Sequence, residues 1–381
     1  MAQIAYKHLL EQHLGILRGL QYKSGLFAAS SKSVDTGYDK SWLRDNFYEC
    51  LPFFVLKDYE TVRKTYRALL DIFIKHEYKI RHAAEHRPKH RYEYIHARFH
   101  PETFDEFWEE WGNKQNDSVG AILFMVGILE QQNVKIIESQ KDKDIINLLI
   151  KYLATLEYWK DLDSGMWEEN EEVHASSVGA CVAGLREIRK AGFSVPVYLI
   201  REGRHALNRL LPRESEKKFV DLALLSLIFP YNVVTNSQRD QILEHVEYHL
   251  VKRKGVIRYK NDYYYNKNED GMSEEAEWTF GFSWLSIIYM QMKDQKRAQH
   301  YERLAVETIN DKGEVPELYY SNSEQHNENS PLGWSEAMLI LALYVMNKKH
   351  INVVKLLKET EHAHLLAHFD SMNARGSLSK K

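Results

Sequence analysis

Asp117-Ser118-Val119-Gly120-Ala121-Ile122-Leu123-Phe124-Met125-Val126-Gly127-Ile128-Leu129-Glu130 carries the most apolar run of the chain, Ala121 to Leu129, closed at each end by an acid. Val119, Ile122, Val126 and Leu129 recur at steps of three and four, which places them on one face of a helix. The run is well short of the roughly 18 to 20 apolar residues that a membrane helix needs, and no stretch of that length occurs elsewhere, so no membrane association is expected. A helix this apolar between acidic ends belongs in the interior of a helical protein.

The same periodicity continues on both sides. Val62, Tyr66, Leu69 and Phe73 form one helical face, and Ile145, Leu149, Tyr152 and Leu156 form another. Comparable windows cover 4–19, 175–190, 218–229, 238–251, 276–292, 295–309, 333–347 and 351–366, and little of the sequence alternates with period two. Val256 to Tyr265 is the main exception: its β-branched and tyrosine residues flank Asn261 and Asp262, as in a short hairpin. About a dozen helices without a Pro/Gly/Ser-rich linker fit either a solenoid or a closed double ring. No motif recurs at a fixed interval of roughly 20 to 50 residues, which disfavours the solenoid. The expected fold is all-α, a closed barrel occupying 1–366 as one domain, with a polar tail at 367–381.

Composition narrows the ligand. With 51 basic and 54 acidic residues, a formal net charge of -3, the chain has no overall attraction for nucleic acid, and a neutral ligand fits better. Hydrophobic content of 44% supports a large core. Residues 1–20 read as an amphipathic helix interrupted by Lys7, Glu11 and His13 rather than as a signal peptide. Cys50 and Cys181 each fall in an apolar helical pattern and read as buried small hydrophobes, which suits a reducing cytoplasm.

Three connections are long, at 21–41, 77–115 and 311–330, and long connections in compact domains are usually functional. Between them they supply Tyr, His, Asp, Glu and Trp, and each ends just before an apolar helix, so together they can gather at one rim and build a pocket. Trp42-Leu43-Arg44-Asp45 sets an aromatic plane beside a charged pair able to bond two neighbouring hydroxyls; an exposed helix start explains it equally well. Trp111 with Gln115-Asn116-Asp117 repeats that chemistry, with Asp117 as a plain N-cap the alternative.

In Trp167-Glu168-Glu169 an acid beside an indole loses hydration, its pKa rises, and it can serve as a general acid, although a Glu-Glu pair also suits solvated surface. Glu314-Val315-Pro316-Glu317 stiffens the chain ahead of Glu317, either to position a base or to form a rigid turn. Arg258 stands among tyrosines. His82, His86 and His90 have metal-ligand spacing, but Arg81, Arg87, Lys89 and Arg91 crowd them with positive charge, and no metal is expected. There is no phosphate-binding glycine loop with lysine, no CxxC and no G-x-S-x-G elbow.

Taken in order, these segments resemble glycoside hydrolase family 15, the glucoamylases, and the glucoamylase-like region of phosphorylase kinase α and β subunits, from about residue 35 to 347. Trp42-Leu43-Arg44-Asp45 is similar to a W-x-R-D segment, Trp111 with Gln115 and Asp117 to a W...Q-x-D segment, and Trp167-Glu168-Glu169 to a W-E-E motif. The kinase-like texture lies in Ala175-Ser176-Ser177-Val178-Gly179, Leu210-Leu211-Pro212-Arg213 and Val315-Pro316-Glu317-Leu318-Tyr319.

The resemblance implies an (α/α)6 barrel, inverting exo-hydrolysis of an α-glucan or oligosaccharide, Glu168 as general acid and Glu317 as general base. It implies sugar contacts from Trp42, Arg44, Asp45, Trp111, Gln115, Asp117, Trp167, Glu169, Arg258 and Trp278, and no cofactor. The kinase likeness keeps open a non-catalytic barrel that binds glucan or a protein partner, whose identity the sequence does not specify.

Overall fold

The computed structural model describes residues 2–109, 111–266 and 274–347. The helix expected at 351–366 and the tail at 367–381 lie outside these residues. The helices are α1 (Ala2–Leu20), α2 (Leu43–Val55), α3 (Tyr59–Lys75), α4 (Glu77–Glu85), α5 (Asn116–Gln131) and α6 (Gln140–Leu156), followed by α7 (Ala175–Lys190), α8 (Val197–Leu210), α9 (Asn236–His249), α10 (Phe280–Gln291), α11 (Gln295–Val306) and α12 (Gly333–Asn347). A 3-10 segment, Leu222–Leu227, stands between α8 and α9.

Burial sorts these elements into two rings. Every residue of α2 is buried, as are Asn116–Leu129 of α5 and Phe280–Met290 of α10, while α8 buries Leu199, Gly203, Ala206 and Leu207, and α11 buries Ala298, Tyr301 and Ala305. A helix buried all round must be inside, and one with a single apolar stripe covers it. The inner elements contact in the order α2, α5, α7, the 3-10 segment, α10, α12 and back to α2, which closes the barrel. Helices such as α1 against α12, α8 against α7 and α11 against α10 form the outer ring. Between α5 and α7 the backbones nearly touch: a Cβ at Gly120 would lie 2.5 Å from the Ala180 carbonyl carbon, and one at Gly184 would lie 2.4 Å from the Gly120 oxygen.

Several expectations need correction. The 218–229 window is not an α-helix, because the Asp221 carboxylate accepts the Ala223 N–H and starts the tight 3-10 segment instead. Val256 to Tyr265 does not form a hairpin: Arg258 and Asp262 pair across four residues and curl the segment, Asn261 has φ 65°, and Val256 bridges to Val251 and Trp278. The 77–115 connection contains α4, a 3-10 turn at Arg91–Glu93 and a short strand. Helix α2 falls in none of the expected windows because Arg44, Asp45, Asn46 and Glu49 are polar yet buried, which hides its periodicity. Cys50 and Cys181 are both free and buried. No described helix is long and apolar enough to cross a membrane.

Candidate active site

The connections that enter the inner ring meet at the N-terminal ends of α2, α5, α7, α10 and α12. Two antiparallel strand pairs rivet them together. β1 (Ser41–Trp42) pairs with β2 (Arg98–Phe99), setting Trp42 opposite Arg98, and β3 (Glu277–Trp278) pairs with β4 (Leu318–Tyr319), setting Trp278 opposite the residue after Glu317. Between them opens a pocket of about 340 Å³, within the range of small-ligand sites.

Glu168 forms one wall. Its side chain remains 17% exposed and accepts a hydrogen bond from Arg44 Nη2 at 2.8 Å. Burial pushes its pKa up to about 8; Arg44 works against that shift and Asp45 adds to it. At neutral pH this carboxyl is largely protonated, which a general acid requires. Its backbone has φ 64°, a left-handed conformation that costs an ordinary side chain about 1 to 3 kcal/mol. The neighbouring indole, Trp167, donates to Asp221 Oδ1 at 2.8 Å and packs 5.6 Å from Trp278.

Glu317 forms another wall under different conditions. Tyr38 donates to its Oε1 at 2.9 Å, while Asn327 and Asn329 donate to its Oε2 at 2.5 and 2.7 Å. Burial raises this carboxyl above its usual range, and the three donors oppose the shift by favouring the ionised form. Oε2 is saturated by two amides, so Oε1 is the oxygen left with capacity to accept a further hydrogen bond.

Two arginines organise the rest. Arg44 donates to Gln115 Oε1 at 2.9 Å and to Asp117 Oδ2 at 3.1 Å as well as to Glu168. Arg258 donates to both oxygens of Asp262 at 2.7 Å and to Glu169 Oε1 at 2.7 Å, and Tyr259 hydroxyl donates to Glu169 Oε2. Asp45 lines the same pocket, and burial pushes its pKa up to about 6. Trp42 and Trp111 meet edge to face at 5.8 Å, with the Arg98 guanidinium 4.4 Å from the Trp111 ring centroid.

Of the residues singled out in the sequence, Trp42, Arg44, Asp45, Trp111, Trp167, Glu168, Glu169, Arg258, Trp278 and Glu317 all line this pocket. Gln115 and Asp117 do not: they stand behind Arg44 and hold it, and Asp117 is 1% exposed. Asp117 is also not the N-cap of α5, a position held by Gln115. Tyr38, Arg98 and Trp334 line the pocket without having been singled out, and Asn327 and Asn329 steady Glu317. Their one signal was membership of the long connections or, for Trp334, an inner-helix start. The histidine spacing does not make a site, since α4 ends at Glu85 and His90 instead stacks on Tyr92 at 5.3 Å. No group of three or more His, Cys, Asp or Glu arranged for a metal occurs among the described residues.

Residues 5–277 match the family model described as glycosyl hydrolases family 15. The chain belongs to glycosyl hydrolase family 15. Glu168 falls inside the matched stretch, and Glu317 lies beyond it. This family-15 chain is 26% identical over 373 residues to the phosphorylase b kinase regulatory subunit alpha, skeletal muscle isoform, of Rattus norvegicus, with 83% of the chain aligned. It spans 29% of the length of that relative.

In fold, the family-15 barrel is similar to a glycosidase variant solved in complex with glucose, with TM-score 0.77, 17% identity, and coverage of 91% of this chain and 98% of the other. It is also similar to a bacterial glucoamylase complexed with acarbose, with TM-score 0.69, 13% identity, and coverage of 93% and 58%. At these identities the likeness establishes a glucoamylase-type (α/α)6 barrel and nothing finer.

Proposed function

We propose that this barrel is an inverting, exo-acting α-glucosidase that releases glucose from non-reducing ends of α-glucans or oligosaccharides. The observation that carries this reading is the unequal pair of carboxyls on one pocket. Burial raises both carboxyls; it pushes Glu168 up to about 8, while at Glu317 three hydrogen-bond donors oppose the rise by favouring the charged form. Unequal environments that push two acids towards different protonation states are how one site supplies an acid and a base.

In this reading the terminal glucose packs against Trp111 and Trp42. Arg44, Asp45 and Arg258 hold its hydroxyls, and Glu169 meets the next sugar. Glu168 protonates the glycosidic oxygen as the bond breaks, while Glu317 Oε1 takes a proton from a water attacking the opposite face of the ring. Tyr38, already on that oxygen, orients the water. The leaving sugar departs as an alcohol and the released glucose is β.

The match to a kinase regulatory subunit favours a second reading, a glucan-binding or regulatory barrel without catalysis. Retention of both Glu168 and Glu317 supports the enzyme, since binding alone needs neither proton transfer. Incubation of the purified chain with α-linked disaccharides and maltotriose, followed by NMR of the released anomer, separates the readings. β-Glucose appearing first supports hydrolysis with inversion; sugar binding without cleavage across the panel sinks it.

A further inference from the structure

The connection that carries Glu317 is held from outside the barrel. Gln12 and His13 are adjacent on the outer helix α1, and none of the described residues of α1 lines the pocket. Gln12 Nε2 donates to the Gly313 carbonyl at 3.0 Å. Gly313 has φ 76°, and a Cβ there would lie 2.4 Å from that same nitrogen, so the position is shaped to receive the amide. His13 Nδ1 lies 2.6 Å from Glu336 Oε2, with both side chains fully buried. The other oxygen, Glu336 Oε1, accepts the Val315 N–H at 2.7 Å.

We propose that Gln12 and His13, the latter through Glu336, form a clamp that positions Glu317 for reaction. The inference rests on Glu317 being the base. Gly313 is tied directly to α1, and Val315 is tied to Glu336 of the inner helix α12, which His13 backs from α1. The next backbone groups are held by Thr279 at the start of α10, whose hydroxyl donates to the Pro316 carbonyl at 2.6 Å, and by the Asn329 carbonyl of the same connection, which accepts the Glu317 N–H at 2.9 Å. The chain leading into Glu317 is therefore gripped from two sides.

The buried histidine gives Glu336 a partner in an interior where an isolated carboxylate would be costly. The other oxygen of the same carboxyl takes up the Val315 N–H, so both acceptors of this buried group are used and the backbone two residues before Glu317 is fixed by one of them. A base must hold its water within a fraction of an ångström of the attack line, so slack two residues away reaches the chemistry. Gln12, His13 and Glu336 are positioning residues; none of them touches the sugar.

Glu336→Ala, Glu336→Gln and Gln12→Ala test the clamp, with kcat and KM measured on maltotriose and on α-glucosyl fluoride, and with amide exchange followed across 313–317. Glu336→Ala should lower kcat by about 10- to 100-fold on both substrates, because a misplaced base slows water attack whatever the leaving group. KM should stay within about twofold, as expected when only transition-state alignment is lost. Glu336→Gln keeps an oxygen for Val315 and should restore most of the rate. Gln12→Ala, at a half-buried outer position, should lower kcat a few-fold with an unchanged melting temperature and faster exchange near Gly313.

A slowdown confined to maltotriose, or unchanged kcat per folded molecule in both alanine variants, overturns the clamp. If Glu336→Ala does not fold, Gln12→Ala and the glutamine variant decide. If wild-type protein cleaves no α-glucoside, the hydrolase reading fails, and the clamp then rests on exchange alone: unaltered protection of Val315 without the Glu336 carboxylate overturns it.

Discussion

The carbonyl oxygen of Glu168 lies so close to Gly112 that a Cβ on Gly112 would sit 2.4 Å from it. The loop bearing the candidate acid and the loop from Trp111 to Gln115 that leads into α5 thus pack backbone against backbone. Ser164 N–H adds a second tie, donating to the Lys114 carbonyl at 2.7 Å. Arg44 reaches both loops, bonding Gln115 on one, Glu168 on the other, and Asp117 in the first turn of α5.

Gly112→Ala should therefore act on Glu168 although it adds one methyl group. Overpacking of this kind costs about 1 to 3 kcal/mol, and here the displaced atom is backbone, which cannot rotate away. The expected result is a lower melting temperature together with a fall in kcat on maltotriose. Unchanged kinetics would show that the Glu168 carboxyl does not depend on this contact.

Glu168→Gln and Glu317→Gln should differ in their substrate dependence. Removing the acid should slow maltotriose hydrolysis by about 10²- to 10⁴-fold while sparing α-glucosyl fluoride, whose leaving group needs little protonation. Removing the base should slow both. Tyr38→Phe, which deletes one donor to Glu317 Oε1, should follow the second pattern more mildly. Steady-state kinetics with the two substrates check this, and equal losses on both for Glu168→Gln would remove it from the acid role.

The pH profile follows from the two carboxyls. Glu168 must be protonated to act, and burial pushes its pKa up to about 8, so kcat/KM should fall as pH rises through that value. The acidic limb should report Glu317, whose pKa burial raises above 4.5. Stability carries the matching sign. A carboxyl whose pKa is raised on folding contributes stability that is fully present below its unfolded value and is lost as pH rises through the folded one. Glu168→Gln should thus abolish the alkaline limb and gain stability relative to wild type at pH above 8, measured by thermal melts in a pH series.

Trp111→Ala should weaken sugar binding with the fold intact. Trp111 is only partly buried, and it faces the pocket beneath Arg98. A core tryptophan would lose about 3 to 5 kcal/mol of stability on truncation. Calorimetric titration with maltotriose should show weaker affinity at a nearly unchanged melting temperature; the reverse would make Trp111 a structural residue.

Much of this was legible in the chain itself. Val62 to Phe73 and Ile145 to Leu156 announce amphipathic outer helices, and Ala121 to Leu129 announces an inner one, because helical periodicity is set by neighbours three and four residues apart. Trp42 to Asp45, Trp167 to Glu169 and Glu317 were legible as site material because each sets an acid or an ion pair beside an aromatic or a proline at the approach to an apolar helix.

Folding alone decided which of them face the cavity. Asp117 looked equivalent to Asp45, yet it lies behind Arg44, a partner 73 residues away. Tyr38 gave no local sign of its role because Glu317 lies 279 residues further on. The different surroundings of the Glu168 and Glu317 carboxyls were also unreadable, since desolvation and distant hydrogen-bond donors belong to the enclosure and not to any one segment. Sequence patterns act over a single helical turn, whereas enclosure, charge pairing and the grip of α1 on the Glu317 connection exist only once residues hundreds of positions apart are packed together.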